Sequence, residues 1–154
     1  MKARKIALTL GLCLAGLAVC YASDPNMGTW KLNEGESKFS PGATKNTTVV
    51  YTQVGDQVKV TTDGTAGDGK QVQTEWTGMF DGKDYPLTGD PSATSRSYKK
   101  INDHTLELTN KKDGKVTTVG HVTVSADGKT RTVKVTGTGS DGKKITYVAV
   151  YDKQ

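Results

Sequence analysis

The sequence predicts an all-β protein, an antiparallel up-and-down meander of about ten strands that closes into a barrel. Three observations support this fold. Beyond residue 22 the chain is rich in Thr, Val and Gly and poor in Leu and Ala, a composition that favours strands and tight turns. Short alternating segments fill most of the chain, and Asp-Gly-Lys recurs between them. Closure hides both edges of such a meander completely, so we expect a barrel, with a two-sheet sandwich as the alternative.

The first 22 residues are typical of a secretory signal peptide. A basic start is followed by an uncharged apolar run over 6–19, shorter than the about 20 residues that a membrane-spanning helix needs. Small residues at Cys20 and Ala22 favour cleavage after Ala22. We therefore expect a signal peptide at 1–22, a single β-barrel domain at 23–154, and a periplasmic or secreted protein.

Two alternatives to a cleaved signal peptide remain open. One is a retained membrane anchor. The other is a lipoprotein anchored at Cys20, although Val19 is bulkier than the Gly, Ala or Ser usual before a lipid-modified cysteine.

Removal of the leader changes the chemistry available to the chain. Both cysteines, Cys13 and Cys20, leave with it, which excludes disulfides, thiol nucleophiles and cysteine-ligated metals from the mature protein. Three of the 21 basic residues also leave, so 18 basic residues remain against 16 acidic ones, a net charge of +2. Lys and Arg then occur as isolated residues or pairs, and we expect no nucleic-acid partner.

The first predicted strand follows the leader directly. Trp30 and Leu32 share one side of it, because side chains alternate along a strand. In the loop 34–43 that follows, Asn33 and Glu36 are placed to cap a single helical turn, and Phe39 is the large apolar group that would pin the loop.

The next predicted strands run over 47–54, 57–62 and 70–80. The first of these carries apolar residues on both faces, which predicts cover on both sides. The third has the cleanest alternation in the chain and predicts a half-buried strand. Its inward face consists of Val72, Thr74, Trp76, Gly78 and Phe80.

The second half of the chain continues the pattern. Pro86 should place its short strand at an edge or an end of the sheet. Segments 95–101 and 105–111 form a predicted hairpin with Leu106 and Leu108 inward, and further strands are expected over 115–125, 130–137 and 144–151. The last is apolar on both faces, which suits a strand that closes a barrel beside the first one.

The five Asp-Gly-Lys tripeptides predict turns rather than ion sites. Each supplies one carboxylate, whereas Ca²⁺ takes about six to eight oxygens. Glycine supplies the positive φ that hairpin turns require. The five tripeptides begin at Asp68, Asp81, Asp113, Asp127 and Asp141.

Gly28-Thr29-Trp30 resembles the Gly-x-Trp signature of the calycins, the group of lipocalins and fatty-acid-binding proteins. The resemblance implies a barrel plugged at one end by Gly28 and Trp30, with a basic residue near the end of the chain across the indole. Lys153 and Lys144 are the candidates for that residue. Gly-Thr-Trp-Lys-Leu is also similar to the opening of fatty-acid-binding proteins, but the segment after Asn33 is too short for their helix-turn-helix lid.

The mature chain also resembles small exported bacterial proteins of unknown function. The shared segments are Trp-Lys-Leu-Asn, Ser-Lys-Phe, Asp-Gly-Lys-Asp-Tyr-Pro and Ser-Ala-Asp-Gly-Lys-Thr. This resemblance covers most of the chain and implies no activity.

The sequence predicts no enzyme, metal site or cofactor. His104 lies in a predicted turn, and His121 alternates with the apolar residues of its strand and should point outward. Neither histidine has a partner at a spacing that predicts metal binding or general base catalysis. No nucleophile or phosphate-binding motif occurs in the expected structural context.

Binding of a small apolar or amphipathic ligand inside the barrel is the first functional hypothesis. The hypothetical lining residues are Trp76, Phe80, Arg96, Tyr98 and Tyr147, with Arg96 as the anchor for an acidic head group. This hypothesis predicts a monomer with a cavity of roughly a few hundred Å³, and a Trp76→Ala variant that folds but binds more weakly. The alternative is a structural or protein-interaction module of the cell envelope with a filled core and an exposed apolar patch near Tyr85-Pro86-Leu87.

Overall fold

The computed structural model describes residues 23–154. The predicted signal peptide and the alternative lipid anchor at Cys20 lie outside the described residues. Eleven strands and no helix occur in the described part. The strands are β1 (Gly28–Leu32), β2 (Lys38–Phe39), β3 (Lys45–Val54), β4 (Gln57–Thr65), β5 (Gln71–Gly78), β6 (Tyr85–Thr88), β7 (Ser95–Asn102), β8 (Thr105–Lys112), β9 (Lys115–Val124), β10 (Thr130–Thr138) and β11 (Lys144–Lys153).

The wall of the molecule is one closed antiparallel sheet. From β3 to β11 each strand pairs with the next along the chain, and β1 pairs with β3 on one edge and β11 on the other. Trp30 lies opposite Lys153 on β11 and opposite Val49 on β3. The predicted meander and its closure into a barrel are therefore confirmed, and the structure is not the two-sheet sandwich.

One short strand lies outside the ten-strand cycle. β2 pairs with Tyr147 and Val148 of β11, beyond the end of β1, and the Phe39 ring stacks on Tyr147 with centroids 5.5 Å apart. Phe39 thus pins this segment as predicted. The predicted helical turn is wrong: the Glu36 amide does donate to Asn33 Oδ1 at 3.3 Å, but the chain forms a plain turn there and then pairs with β11.

Two other sequence predictions are wrong. β3 is covered on one face only: Val49 and Tyr51 are buried, whereas Val54 is 50% exposed on the outer wall. The strand that contains Pro86 is not at an edge, because β6 lies between β5 and β7. Proline is tolerated there since β6 makes only two residue pairs with each neighbour, which leaves few ladder bonds for it to interrupt.

All five Asp-Gly-Lys segments form turns in which glycine has a positive φ, as predicted. In four of them an aspartate Oδ1 accepts a hydrogen bond from the lysine backbone amide at 3.0 or 3.1 Å. In the fifth, Asp113 itself has φ 50° beside Gly114 at 80°, the two positive values of a tight two-residue hairpin turn. The recurring tripeptide is thus a structural device.

Trp30 fills the barrel at the end where β1 begins. Its side chain is 0% exposed and its indole N–H donates to Asn26 O at 2.8 Å. Lys153 Nζ lies 5.1 Å from the ring centroid. Of the two lysines considered for this position, Lys153 occupies it, because Lys144 starts β11 at the opposite end of the strand.

Candidate functional site

The five hypothetical lining residues divide into two groups. Trp76 and Phe80 pack into an aromatic cluster with Tyr98, at centroid distances of 4.9 Å for Trp76–Tyr98 and 5.7 Å for Phe80–Tyr98. The Trp76 indole N–H also donates to Arg96 O at 2.9 Å. These two residues support the wall of the site, whereas Arg96, Tyr98 and Tyr147 line the internal space itself.

The internal space is a small polar void of about 30 Å³. It is an order of magnitude smaller than the cavity expected for an apolar carrier, because aromatic side chains fill most of the barrel. The volume suits one or two water molecules or a similarly small group. Its lining consists of Asn46, Val49, Val60, Thr62, Arg96, Tyr98, Leu108, Arg131, Val133, Tyr147 and Tyr151.

Arg131 is the most unusual residue of this lining. It points inward from β10 in register with Val133 and Val135 and is only 3% exposed. Its Nη2 donates to the Tyr51 hydroxyl at 2.7 Å. Nε and Nη1 are buried without a hydrogen-bond partner in residues 23–154. Two of the three guanidinium nitrogens are therefore free to donate to a bound group.

The rings around Arg131 compensate part of its burial. The guanidinium carbon lies 5.0 Å from the centroid of Tyr51 and 5.2 Å from that of Tyr151, both within cation–π range. A ring face attracts the charge, but it does not replace the hydrogen bonds that Nε and Nη1 would make in water.

Arg96 is held more tightly than Arg131. Its Nε donates to Asn110 Oδ1 at 2.7 Å and its Nη1 to the Tyr98 hydroxyl at 3.4 Å. Asn110 in turn donates to the Thr118 hydroxyl at 2.8 Å. This buried chain of polar contacts fixes the orientation of the guanidinium, which makes Arg96 a positioned positive charge.

Neither buried guanidinium forms an ion pair with a carboxylate of residues 23–154, although the charge of Asp90 acts on Arg96 from a greater distance and helps to raise its pKa. The ion pairs formed by residues 23–154 all use lysine, and no Asp or Glu of this part of the chain lies within 4.0 Å of Arg96 or Arg131. Burial of a charge costs several kcal/mol unless it is paired and hydrogen-bonded. The interior is therefore electrostatically complementary to an anion.

The buried tyrosines respond to this charge in different ways. Burial raises the pKa of Tyr51 and of Tyr147 well above the usual range of a phenol, and it raises the pKa of Tyr151 to about 12 despite the opposing charge of Arg131. Burial also acts to raise the pKa of Tyr98. The charges of Arg96 and Arg131 outweigh that effect and leave the pKa of Tyr98 below its ordinary value.

The histidines do not join this site. His121 is exposed on the outer wall, as predicted, and His104 contacts the backbone oxygen of Val124 through Nδ1 at 3.2 Å. Across residues 23–154 no three His, Cys, Asp or Glu side chains are arranged to hold a metal ion. The same part of the chain contains no helix long and apolar enough to cross a membrane.

The outer surface carries several open grooves, among them one across β8 to β11 and one near the Trp30 end. The larger, about 630 Å³, crosses the outer faces of β8 to β11 and includes Glu107, Val119, His121, Lys134 and Val148. The smaller, about 290 Å³, lies near the Trp30 end beside Met27 and Phe80. The apolar patch expected near Tyr85-Pro86-Leu87 does not form, because Leu87 is buried at 4% exposure.

Sequence reasoning identified Arg96 but missed Arg131, Asn110 and Thr118. Alternation contains a signal for the first two. Arg131 precedes Val133 and Val135 by steps of two, and Asn110 follows Leu106 and Leu108 in the same way. Their polarity suggested an outward position, and the inward register prevailed because whole strands, not single residues, choose a face.

Comparison with known proteins finds only distant structural similarity. No protein-family model matches the chain. No curated protein matches it either. One similar solved structure is a redesigned β-barrel, mFAP1, bound to DFHBI: it is 16% identical, with a TM-score of 0.43, over 84% of this chain and 95% of that one. Another is EF1p2_mFAP2b bound to DFHBI, which is 13% identical, with a TM-score of 0.48, over 86% of this chain and 97% of that one.

Proposed function

We propose that the protein is an exported, non-enzymatic, calycin-like barrel that binds a small acid in its interior, with Arg131 and Arg96 as the anion-binding residues. One observation carries the proposal. Arg131 is buried against a void, with two nitrogens that lack an acceptor in residues 23–154 and no carboxylate nearby. An anion in the void would accept a hydrogen bond from Nε or from Nη1, which lie on different edges of the guanidinium, and would offset the buried charge.

The size and polarity of the void narrow the ligand class. About 30 Å³ has room for one or two water-sized groups, so the ligand we propose is among the smallest carboxylates or inorganic anions and not a long apolar chain. Guanidinium groups and hydroxyls surround much of the void, which favours a polar ligand with acceptor atoms over an apolar one. Asn46 Oδ1 also lines the void without a donor, so it calls for an O–H or a water beside the bound anion. The ligand we propose is therefore the acidic part of the amphipathic class predicted from the sequence.

The remaining parts of the proposal rest on other observations. Export rests on the leader sequence. Calycin-like character rests on the closed barrel and on Trp30 covered by Lys153 at one end. A non-enzymatic role rests on the sequence, which predicts no nucleophile paired with a general base. We also propose that the protein is a monomer and binds no nucleic acid.

Thermal unfolding with added small anions tests the binding. The sodium salts of formate, acetate, nitrate and phosphate should be added to the mature protein in a zwitterionic buffer. Saturation at about 100 times the dissociation constant stabilises the folded state by about 2.7 kcal/mol. We expect this for at least one anion with the wild type, and no stabilisation with Arg131→Met.

A matched control separates this site from general salt effects. Lys134→Met removes one positive charge from the same strand, but its side chain is exposed on the outer wall. Lys134→Met should retain the full anion effect. Equal stabilisation of all three proteins, or none of the wild type, contradicts the proposal.

Native mass spectrometry of the gently purified protein, beside a refolded sample, identifies a ligand that is carried from the cell. An added small mass in the first sample alone identifies the physiological acid. Loss of that mass in Arg131→Met and its retention in Lys134→Met would assign it to the internal site.

The second candidate function is a filled-core interaction module of the cell envelope. The observation in its favour is the contrast between an internal void of about 30 Å³ and an outer groove of about 630 Å³. For this candidate, no anion changes the stability and the mass is bare in both samples.

A further inference from the structure

The hydrogen bonds around Tyr98 point toward its phenolic oxygen. Arginine only donates, so the 2.7 Å contact from Arg131 Nη2 makes the Tyr51 oxygen an acceptor. The proton of Tyr51 is then free to point at the Tyr98 oxygen, 3.3 Å away. Arg96 Nη1 donates to the same Tyr98 oxygen at 3.4 Å.

The Tyr98 oxygen therefore faces two donors, and its own proton finds no acceptor among the described residues. This is the environment that suits a phenolate and not a phenol. A negative oxygen at this position lies between the two guanidiniums that lack carboxylates, and it would offset one of their charges.

We propose that Tyr98 ionises inside the closed barrel and acts as the internal counter-ion of Arg96 and Arg131, so that the anion of the proposed function enters together with a proton. The coupling rests on that function. The balance is simple: the ligand anion occupies the void, a proton from solvent converts the Tyr98 phenolate to the phenol, and the net charge of the site is unchanged.

The groups that face Tyr98 support this assignment. Tyr98 is surrounded by Tyr51 from β3, Arg131 from β10 and Arg96 from its own strand. The other titratable groups of the lining are Tyr147 and Tyr151 from β11. Burial raises the pKa of Tyr147 and Tyr151, so both stay neutral, whereas the two guanidiniums lower the pKa of Tyr98. The charge of Asp90 acts on two neighbours of Tyr98: it helps to raise the pKa of Arg96 and that of Tyr147.

Proton-coupled binding has a specific pH signature. Below the pKa of Tyr98 the site holds the phenol, and titration of Tyr98 should not make the anion affinity change with pH. Above it, each bound anion must bring one proton, so the dissociation constant should rise about tenfold per pH unit.

The first experiment uses the ligand-free mature protein in zwitterionic buffer and follows tyrosinate absorbance against pH. We expect one tyrosine to ionise below the ordinary value of about 10. This transition should be absent from Tyr98→Phe and retained by Tyr85→Phe, which removes a tyrosine whose pKa is raised by partial burial and by the Asp81 hydrogen bond. The absence of an early transition, or its persistence in Tyr98→Phe, overturns the counter-ion role.

A second variant keeps the test valid where Tyr98→Phe fails to fold. Arg96→Met retains Tyr98 but removes the donor 3.4 Å from its oxygen, so the early transition should move to higher pH. Lys99→Met removes an exposed charge from the same strand and should leave the transition in place. Equal transitions in Arg96→Met and Lys99→Met overturn the assignment.

The second experiment measures acetate and nitrate affinity against pH by calorimetry. Wild-type affinity should fall above the Tyr98 transition, and Tyr98→Phe should bind without that fall. Anion binding with no early tyrosinate overturns the coupling and leaves the proposed function intact. Early tyrosinate with no binding of any anion overturns the proposed function, and the coupling with it.

Discussion

Replacement of Arg131 by methionine distinguishes an anion-binding arginine from a structural one. Methionine fills similar space without charge, so the variant removes the charge, one hydrogen bond and two cation–π contacts. The hydrogen bond contributes about 1.5–3 kcal/mol and each desolvated ring contact about 1–2 kcal/mol, a loss of about 5 kcal/mol in all.

Two stabilising effects of the same substitution are of similar size and offset that loss. The variant no longer buries a charge whose Nε and Nη1 lack partners, which removes a penalty of several kcal/mol. The methionine side chain adds about 2 kcal/mol of apolar burial. We therefore expect the free energy of unfolding of anion-free Arg131→Met to lie within about 2 kcal/mol of the wild-type value, because the two sets of terms nearly cancel.

Urea unfolding in zwitterionic buffer, with and without the stabilising anion, measures both quantities. Without anion the two proteins should be similar, and with anion only the wild type should gain stability. A loss of about 3–5 kcal/mol in anion-free buffer would contradict this expectation, because a loss of that size is typical of breaking a buried ion pair and would mean that the folded protein already compensates the Arg131 charge.

Three further predictions test the rest of the fold. Burial raises the pKa of Tyr51 and of Tyr147 well above the phenol range and that of Tyr151 to about 12, so between about pH 10 and 12 the unfolded chain has released three protons that the folded protein keeps. The free energy of unfolding should fall by about 1.4 kcal/mol per pH unit for each tyrosine, about 4 kcal/mol per pH unit in all, and a flat profile in urea would contradict this. Lys153→Met should lower the free energy of unfolding by about 0.5–1 kcal/mol and change the fluorescence of Trp30, while Lys144→Met should do neither. Equal effects of the two substitutions would mean that Lys153 does not stabilise the fold through the indole. Gly120→Ala should destabilise the barrel by about 1–3 kcal/mol because its Cβ would lie 2.1 Å from Lys134 O. Gly35→Ala, whose Cβ would meet only a side-chain oxygen at 3.6 Å, should be near neutral in thermal unfolding. Equal stability of Gly120→Ala and the wild type would contradict the close packing of β9 against β10.

The sequence was informative where structure is decided locally. Alternation over Val72–Phe80 and the Asp-Gly turns depend on neighbours within a few residues, and they predicted the strands and the meander. Closure followed from the same pattern, because the final strand is apolar on both faces and an antiparallel meander has two edges to hide. The actual β11 pairs with β10 and β1.

The errors arose where distant segments decide the outcome. Pairing of Lys38–Phe39 with Tyr147 joins residues more than a hundred positions apart, which no local pattern reveals. Pro86 sits in an interior strand because β6 is short. Whether Trp76 lines a cavity or supports its wall depends on how Phe80 and Tyr98 fill the barrel, a matter of packed volume.

Only part of the internal site could be predicted from the sequence, for a related reason. Arg96 was found because Tyr98 follows it by two residues on the same face. Arg131 was missed because an inward arginine between exposed lysines is indistinguishable by composition from an outward one. Its importance comes from the partners it lacks, which only the three-dimensional structure shows.

A crystal structure with bromide in place of the buffer anion would show whether an anion binds beside Arg131, since bromide is located by its anomalous scattering. We expect a bromide inside the barrel, in contact with Nε or Nη1 of Arg131 and absent from crystals of Arg131→Met. Bromide bound to surface lysines alone, with water or nothing beside Arg131, would contradict it.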